Sequence, residues 1–146
     1  MLDPEERTYL ETGRVARLAT ADSDARPHAV PICYALLDDT TIITPIDEKP
    51  QTKGAHDLRR TRDIAENPHV AVLVDHYTDD WTRLGWLKIH GTAEIRQPDD
   101  DIHDAITALR TKYEQYQDHA LEDRPIIHII PGSSTSWGEL ERPDHE

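Results

Sequence analysis

TIITPIDEKPQTKGAHDLRRTRDIAENPHVAVLVD, residues Thr41 to Asp75, decides how this chain is read. It opens with a short apolar strand, Thr41 to Thr44. A polar turn carrying Lys49 and Lys53 follows, and then a basic helix from about Thr52 to Glu66 with Arg59, Arg60 and Arg62. Leu58 and Ile64 mark the buried stripe of that helix. Asn67-Pro68 stops it, and His69 to Asp75 reads as a second strand. Its unbroken apolar run, Val70 to Val74, predicts cover on both faces. The chain has a formal net charge of -13, yet it concentrates cations in this window. That contrast predicts an anion held there, phosphate first, because Lys, Arg and backbone N–H groups near a helix start suit it.

Outward from this stretch, 146 residues make one domain with a single core, 1–138, and a frayed tail, 139–146. Hydrophobic residues are 36% and charged residues 31%, with no Phe, so Val, Ile and Leu must fill the interior. The acidic balance argues against nucleic acid and against an anionic membrane surface. It fits a salt-adapted cytoplasm and an ordinary acidic protein alike. The single Cys33 excludes an internal disulfide and any multi-cysteine metal site. No apolar run is long enough to span a bilayer and the start is charged, so the expected compartment is the cytoplasm.

Asp3-Pro4-Glu5-Glu6 starts a short helix that Gly13 ends. Arg14 to Thr20, His28 to Leu37 and Thr41 to Thr44 form an antiparallel meander joined by tight turns, with Pro31 marking an edge or a bulge. Trp86 to Arg96 alternates, with Leu87, Ile89, Gly91, Ala93 and Ile95 on one face and Trp86, Lys88, His90, Thr92 and Glu94 on the other. Pro98 to Tyr113 reads as a helix and Pro125 to Ile130 as a strand. Gly132 to Ser134 is a turn before a short strand, Thr135 to Gly138. The fold class is mainly β: a closed antiparallel barrel of six or seven strands with a few helices. The half-polar face of Trp86 to Glu94 suggests a homodimer.

RVARLATADSDARPHAVPICYALL and EKPQTKGAHDLRRTRDIAENPHVAVLVDHYTDDWTRLGWLKIHGTAEI together resemble the pyridoxamine 5'-phosphate oxidase-like superfamily. Within it the chain is most similar to the deazaflavin-dependent (coenzyme F-420) group. The resemblance spans nearly the whole chain. It implies a flavin mononucleotide (FMN)-binding split barrel, a cofactor at a dimer interface and hydride transfer to a small-molecule substrate, with FMN as the alternative cofactor. The oxidases grip the FMN phosphate with a Ser-Arg-Lys triplet that matches Leu58-Arg59-Arg60, so the cations remain and the hydroxyl is lost. Two further oxidase cations fall on the neutral Val30 and Ala35, while Lys49 and Lys53 add charge in a loop. The resemblance also sets the backbones of Thr44, Pro31 and Ile32 along the tricyclic ring.

Each candidate has a plainer alternative. Lys49, Lys53, Arg59 and Arg60 could form a solvated helix face paired with Asp57 and Asp63. The resemblance favours phosphate for Lys53, Arg59 and Arg60. Arg60 is then a surface cation, and its loss should leave the unliganded fold unchanged. For Trp86 and Trp137, packing and cofactor contact fit equally; Trp81 suits packing. Nine His without ligand spacing do not make a zinc site, although a haem ligand among them stays open. Tyr34, Tyr77 and His76 are candidate proton donors. Neither G-x-S-x-G nor GxGxxG occurs.

Overall fold

The computed structural model describes residues 2–38, 40–46, 59–98 and 102–142. Helix α1 (Pro4–Thr12) begins as its residues dictate. The Asp3 carboxylate accepts from Glu6 N–H, Glu6 returns the bond to Asp3 N–H, and Pro4 takes the first turn. Seven strands follow among the described residues: β1 (Ala16–Ala21), β2 (Pro27–Ile32), β3 (Ala35–Leu37), β4 (Thr41–Pro45), β5 (His69–His76), β6 (Gly85–Arg96) and β7 (Ile126–Gly138). Helix α2 (Arg59–Glu66) precedes β5, and α3 (His103–Lys112) lies between β6 and β7. All the pairings are antiparallel, in the order β2-β1-β5-β6-β7-β4-β3.

That order contains the closure of the barrel. β2 and β3 are opposite edges of the sheet, yet only Cys33 and Tyr34 separate them in the chain. Three residue steps reach at most roughly 11 Å, so the sheet must curl until the joined ends of β2 and β3 lie within that reach. The single strand expected from His28 to Leu37 is therefore two strands. Tyr113, just beyond α3, holds the break open. Its hydroxyl accepts from Tyr34 N–H at 3.1 Å and points its single proton between the carbonyl oxygens of Arg14 and Tyr34, 2.9 and 3.0 Å away. The Tyr34 hydroxyl in turn donates to Leu10 O at 2.5 Å. Pro31 sits in edge strand β2, where its missing N–H costs no ladder bond.

The barrel interior is one core, with Leu18, Ile42, Val72, Leu87, Ile89, Ile127 and Ile129 buried in it. Tyr9 and Leu10 of α1 pack into one end, beside His76, and Ile64 of α2 into the other, beside Val70. A second core lies outside the sheet, where Ile102, Ala105, Ile106, Leu109 and Tyr113 of the α3 region pack on Ala35, Ile43 and Ile126. Adjacent residues Ile42 and Ile43 serve different cores, so β4 is covered on both faces.

β5 corrects the expectation of two covered faces. Val70, Val72 and Val74 are buried, but Ala71 and Leu73 are only half-buried on the outer side. The turn expected at Gly132 is also absent: β7 runs unbroken through it, paired to β6 along its whole length with one register shift at His90/Gly91. After β7, Leu140 is 8% exposed in the barrel core, and the Arg142 guanidinium lies 3.8 Å from the Tyr9 ring centroid.

Tyr113→Phe should lower stability by about 1–3 kcal/mol, because it strips a buried N–H of its acceptor while leaving the ring in place. Urea denaturation of the two proteins checks this. An unchanged midpoint would mean that the hydroxyl is not the clamp.

Candidate functional site

The candidates fall in three places. At the barrel closure, the Thr44 hydroxyl donates to Cys33 O at 2.7 Å, which ties β4 to the β2–β3 step. Ile32 is buried beside it, and Pro31 is exposed on the outer face. The Thr44 bond thus falls one residue beyond Ile32 and two beyond Pro31.

Trp86 and Trp137 are direct cross-strand partners on the outer face of β6 and β7. Trp86 is half-buried and Trp137 is 53% exposed. Asp75 is the partner of Trp86 on the other side. The next row across the sheet runs Pro31, Arg17, Leu73, Lys88 and Thr135. Pro31 and the Trp pair therefore share one face, with three strand spacings, roughly 14 Å, between β2 and β6.

The cations stand at the α2 end. Asp63 is buried and accepts from the Thr20 hydroxyl at 2.7 Å. Arg59 Nε donates to both Asp63 oxygens at 3.0 and 3.2 Å, and its Nη2 reaches Arg26 O at 3.3 Å. The Arg59 side chain stays 38% exposed, so one edge of a fixed guanidinium faces solvent near the β1–β2 turn. Arg60 corrects the reading of a surface cation, being 6% exposed. A helical Arg can bury its long apolar stem in this way. Arg62 is exposed. Lys49 and Lys53 lie outside the described residues, as does Leu58.

The three candidate proton donors separate cleanly. The Tyr34 hydroxyl is spent on Leu10 O. His76 is buried with both nitrogens engaged: Nε2 lies 2.6 Å from Arg83 O and so carries the proton, while Nδ1 lies 2.8 Å from the Tyr9 hydroxyl. Tyr77 is 64% exposed, with its hydroxyl accepting from Trp81 Nε1 at 3.2 Å, and its hydroxyl is the most open of the three groups.

A cationic group that the sequence did not single out surrounds Tyr34. Lys112 Nζ lies 3.9 Å from the Tyr34 ring centroid, and the Arg14 guanidinium lies 4.6 Å from that of Tyr113. Burial, and then the charges of Arg14 and Arg142, push the Lys112 ammonium down to about 8. Burial also pushes Tyr113 up to about 12 and Tyr34 upward. Lys112 falls in the helix expected from Pro98 to Tyr113 and Arg142 in the expected tail, and neither position carries a local signal. Among the described residues no group of three or more His, Cys, Asp or Glu could hold a metal ion, and no helix is long and apolar enough to cross a membrane.

Comparison with known proteins agrees with this architecture. The family model described as pyridoxamine 5'-phosphate oxidase matches residues 2–138. A 5a,11a-dehydrotetracycline/5a,11a-dehydrooxytetracycline reductase of Streptomyces rimosus subsp. rimosus is 27% identical over 135 residues, 92% of this chain and 81% of that protein. A conserved hypothetical protein of Mycobacterium tuberculosis superposes with a TM-score of 0.76 at 20% identity, over 94% of this chain and 85% of its own. The haem storage protein HutZ of Vibrio cholerae superposes with a TM-score of 0.69 at 16% identity, over 94% of each chain. Likeness at these identities shows the shared fold.

Two outcomes are expected. Arg60→Ala should destabilise the unliganded protein by roughly 1–3 kcal/mol, since a buried stem is removed; a melting temperature equal to wild type would return Arg60 to the surface. Lys112 sets a pH dependence. Its folded value, about 8, lies below the ordinary 10.5, so the unfolded chain binds more protons between them and stability rises with pH across that window. The tyrosines act oppositely above about pH 10, where the unfolded chain gives up protons that the folded one keeps. The stability of wild type relative to Lys112→Met should therefore climb from about pH 8 to 10.5. Parallel curves in denaturant titrations across that range would contradict this.

Proposed function

The chain belongs to the pyridoxamine 5'-phosphate oxidase family, and on that premise we propose that it is an oxidoreductase that binds coenzyme F-420 at a homodimer interface and reduces a small organic substrate. The observation that carries the choice of cofactor is the packing of Val30 and Ala35. Val30 packs against the barrel core, and Ala35 is buried in the second core against the α3 region. The positions where the resemblance puts two FMN-phosphate cations are thus filled by apolar contacts, and a charge at Ala35 would be buried in an apolar core. The similarity to a named reductase supports the reaction class.

When bound, the deazaflavin supplies the hydride. The chain's part is to bind and orient. Arg59, braced by Asp63, offers its free edge to the phosphate, with Lys49 and Lys53 as the further cations in this reading. The backbone at Pro31 and Ile32, with β4 held close by Thr44, lines the ring's edge. Trp86 and Trp137 give flat apolar walls, and the Tyr77 hydroxyl is the group placed to hand a proton to the substrate. A second copy covers the outer face of β1, β5 and β6, where Ala71 and Leu73 are half-exposed.

FMN dependence, or haem binding without catalysis, is the second reading, favoured by the fold shared with the haem storage protein. Parallel titrations of the purified protein with coenzyme F-420, FMN and haem, read by absorbance, decide between them. Tighter binding of F-420 to a species that light scattering finds dimeric is the expected result. Equal or reversed affinities would reject the cofactor, and a monomer at micromolar concentration in high salt would reject the interface.

A further inference from the structure

A cavity of about 530 Å³ opens between the end of α1, the start of β1 and the end of β5, lined by Gly13, Arg14, Arg17, Asp75, Tyr77 and Arg142 among others. We propose that this cavity is a binding site for a small organic anion, a carboxylate or a phosphate monoester, held between Arg14 and Arg142. The inference rests on Arg14 and Arg142 and not on the Arg59 of the cofactor reading, with which it shares the lining residue Tyr77.

Charge is the first argument. In a chain of net charge -13, three arginines line one cavity. Its only lining carboxylate among the described residues, Asp75, stands 3.8 Å from Arg17. Arg14 and Arg142 have no carboxylate within 4 Å among the described residues, and neither does Lys112 behind them. Aromatic faces hold all three: Tyr113 under Arg14, Tyr34 under Lys112 and Tyr9 under Arg142. A ring face orients a cation and leaves its N–H donors unspent.

Unspent donors are the second argument. Lys112 Nζ and Arg142 Nη2 are both buried and find no acceptor among the described residues. Arg142 is fixed from its other side, with Nη1 donating to the Thr12 hydroxyl at 2.6 Å. Gly13 keeps the floor open, because a Cβ there would collide with the Tyr34 hydroxyl and stand 2.7 Å from Arg142 Nη2. The depressed ammonium of Lys112 fits the same picture, since Arg14 and Arg142 are among its causes and an anion beside them would relieve it.

The test is calorimetric titration of the full chain with inorganic phosphate and, separately, with succinate, against chloride at equal ionic strength. Saturable binding of one anion per chain is expected, with Arg14→Gln and Arg142→Gln each weakening it at least about tenfold, the scale of one lost charge-assisted contact. The stronger of the two arms identifies the ligand class. Arg59→Gln serves as the control. If it abolishes phosphate binding while Arg14→Gln does not, the phosphate sits at the α2 end and the proposal is overturned. No saturation beyond the chloride response overturns it as well. Should Arg142→Gln fail to fold, Arg14→Gln carries the variant arm. The NMR titration of Lys112 adds a readout a structural role would not move: its midpoint should rise with the anion present and stay fixed in chloride.

Discussion

The two-residue step from Ile32 to Ala35 is the constraint on which the architecture depends. β2 pairs only with β1 and β3 only with β4, so the step can be short only if the seven-stranded sheet curls round to bring these two edge strands near each other. Closure leaves the backbone of Tyr34 in neither ladder, and a buried N–H outside a ladder needs another acceptor. The Tyr113 hydroxyl is that acceptor. Because Tyr113 caps the end of α3, the packing of α3 and the curl of the sheet share this bond, and the second core lies on the same side.

Where α3 packs determines where the rest of the surface stays open. Its side chains cover β3, β4 and the first half of β7, and there the strands are buried on both faces. The outer side of β1, β5 and β6 has no such cover among the described residues, and its rows mix Arg17 and Lys88 with Ala71 and Leu73. A sheet face that is neither packed nor fully polar suits a partner that leaves some polar groups wet, as protein interfaces do.

The regular parts of this fold were legible because local chemistry decides them. The α1 capping box, the alternation of β6 and the Asn67-Pro68 stop all carry their signal within a few residues. The break at Cys33 and Tyr34 was not legible, since both residues suit a strand and the interruption comes from a hydroxyl 79 positions away. β7 passes through Gly132 because its ladder to β6 outweighs the local turn preference. For the site, Thr44 bonds Cys33 O, next in the chain to Ile32, and no local signal in the sequence marks that contact. Arg60 did not behave as its charge suggested: a helical Arg can bury its stem, and sequence periodicity reports the face but not the depth.

The two cation sites differ in how their charge is balanced, and this bears on what each can do. Arg59 shares the buried Asp63 with Thr20, so its guanidinium is oriented and already partly neutralised. Such a group positions an anion more than it attracts one, and it suits a ligand anchored elsewhere along its length. Arg14 and Arg142 are oriented by aromatic rings, which keep the full charge. In a protein this acidic the long-range field repels anions, so a site that draws one in from solution must supply an unneutralised local charge. The ring-held cluster meets that condition and the Asp63-braced arginine does not. Electrostatics alone therefore favours the Arg14–Arg142 cavity for a freely diffusing small anion, and the α2 end for the phosphate of a larger molecule already held by the sheet.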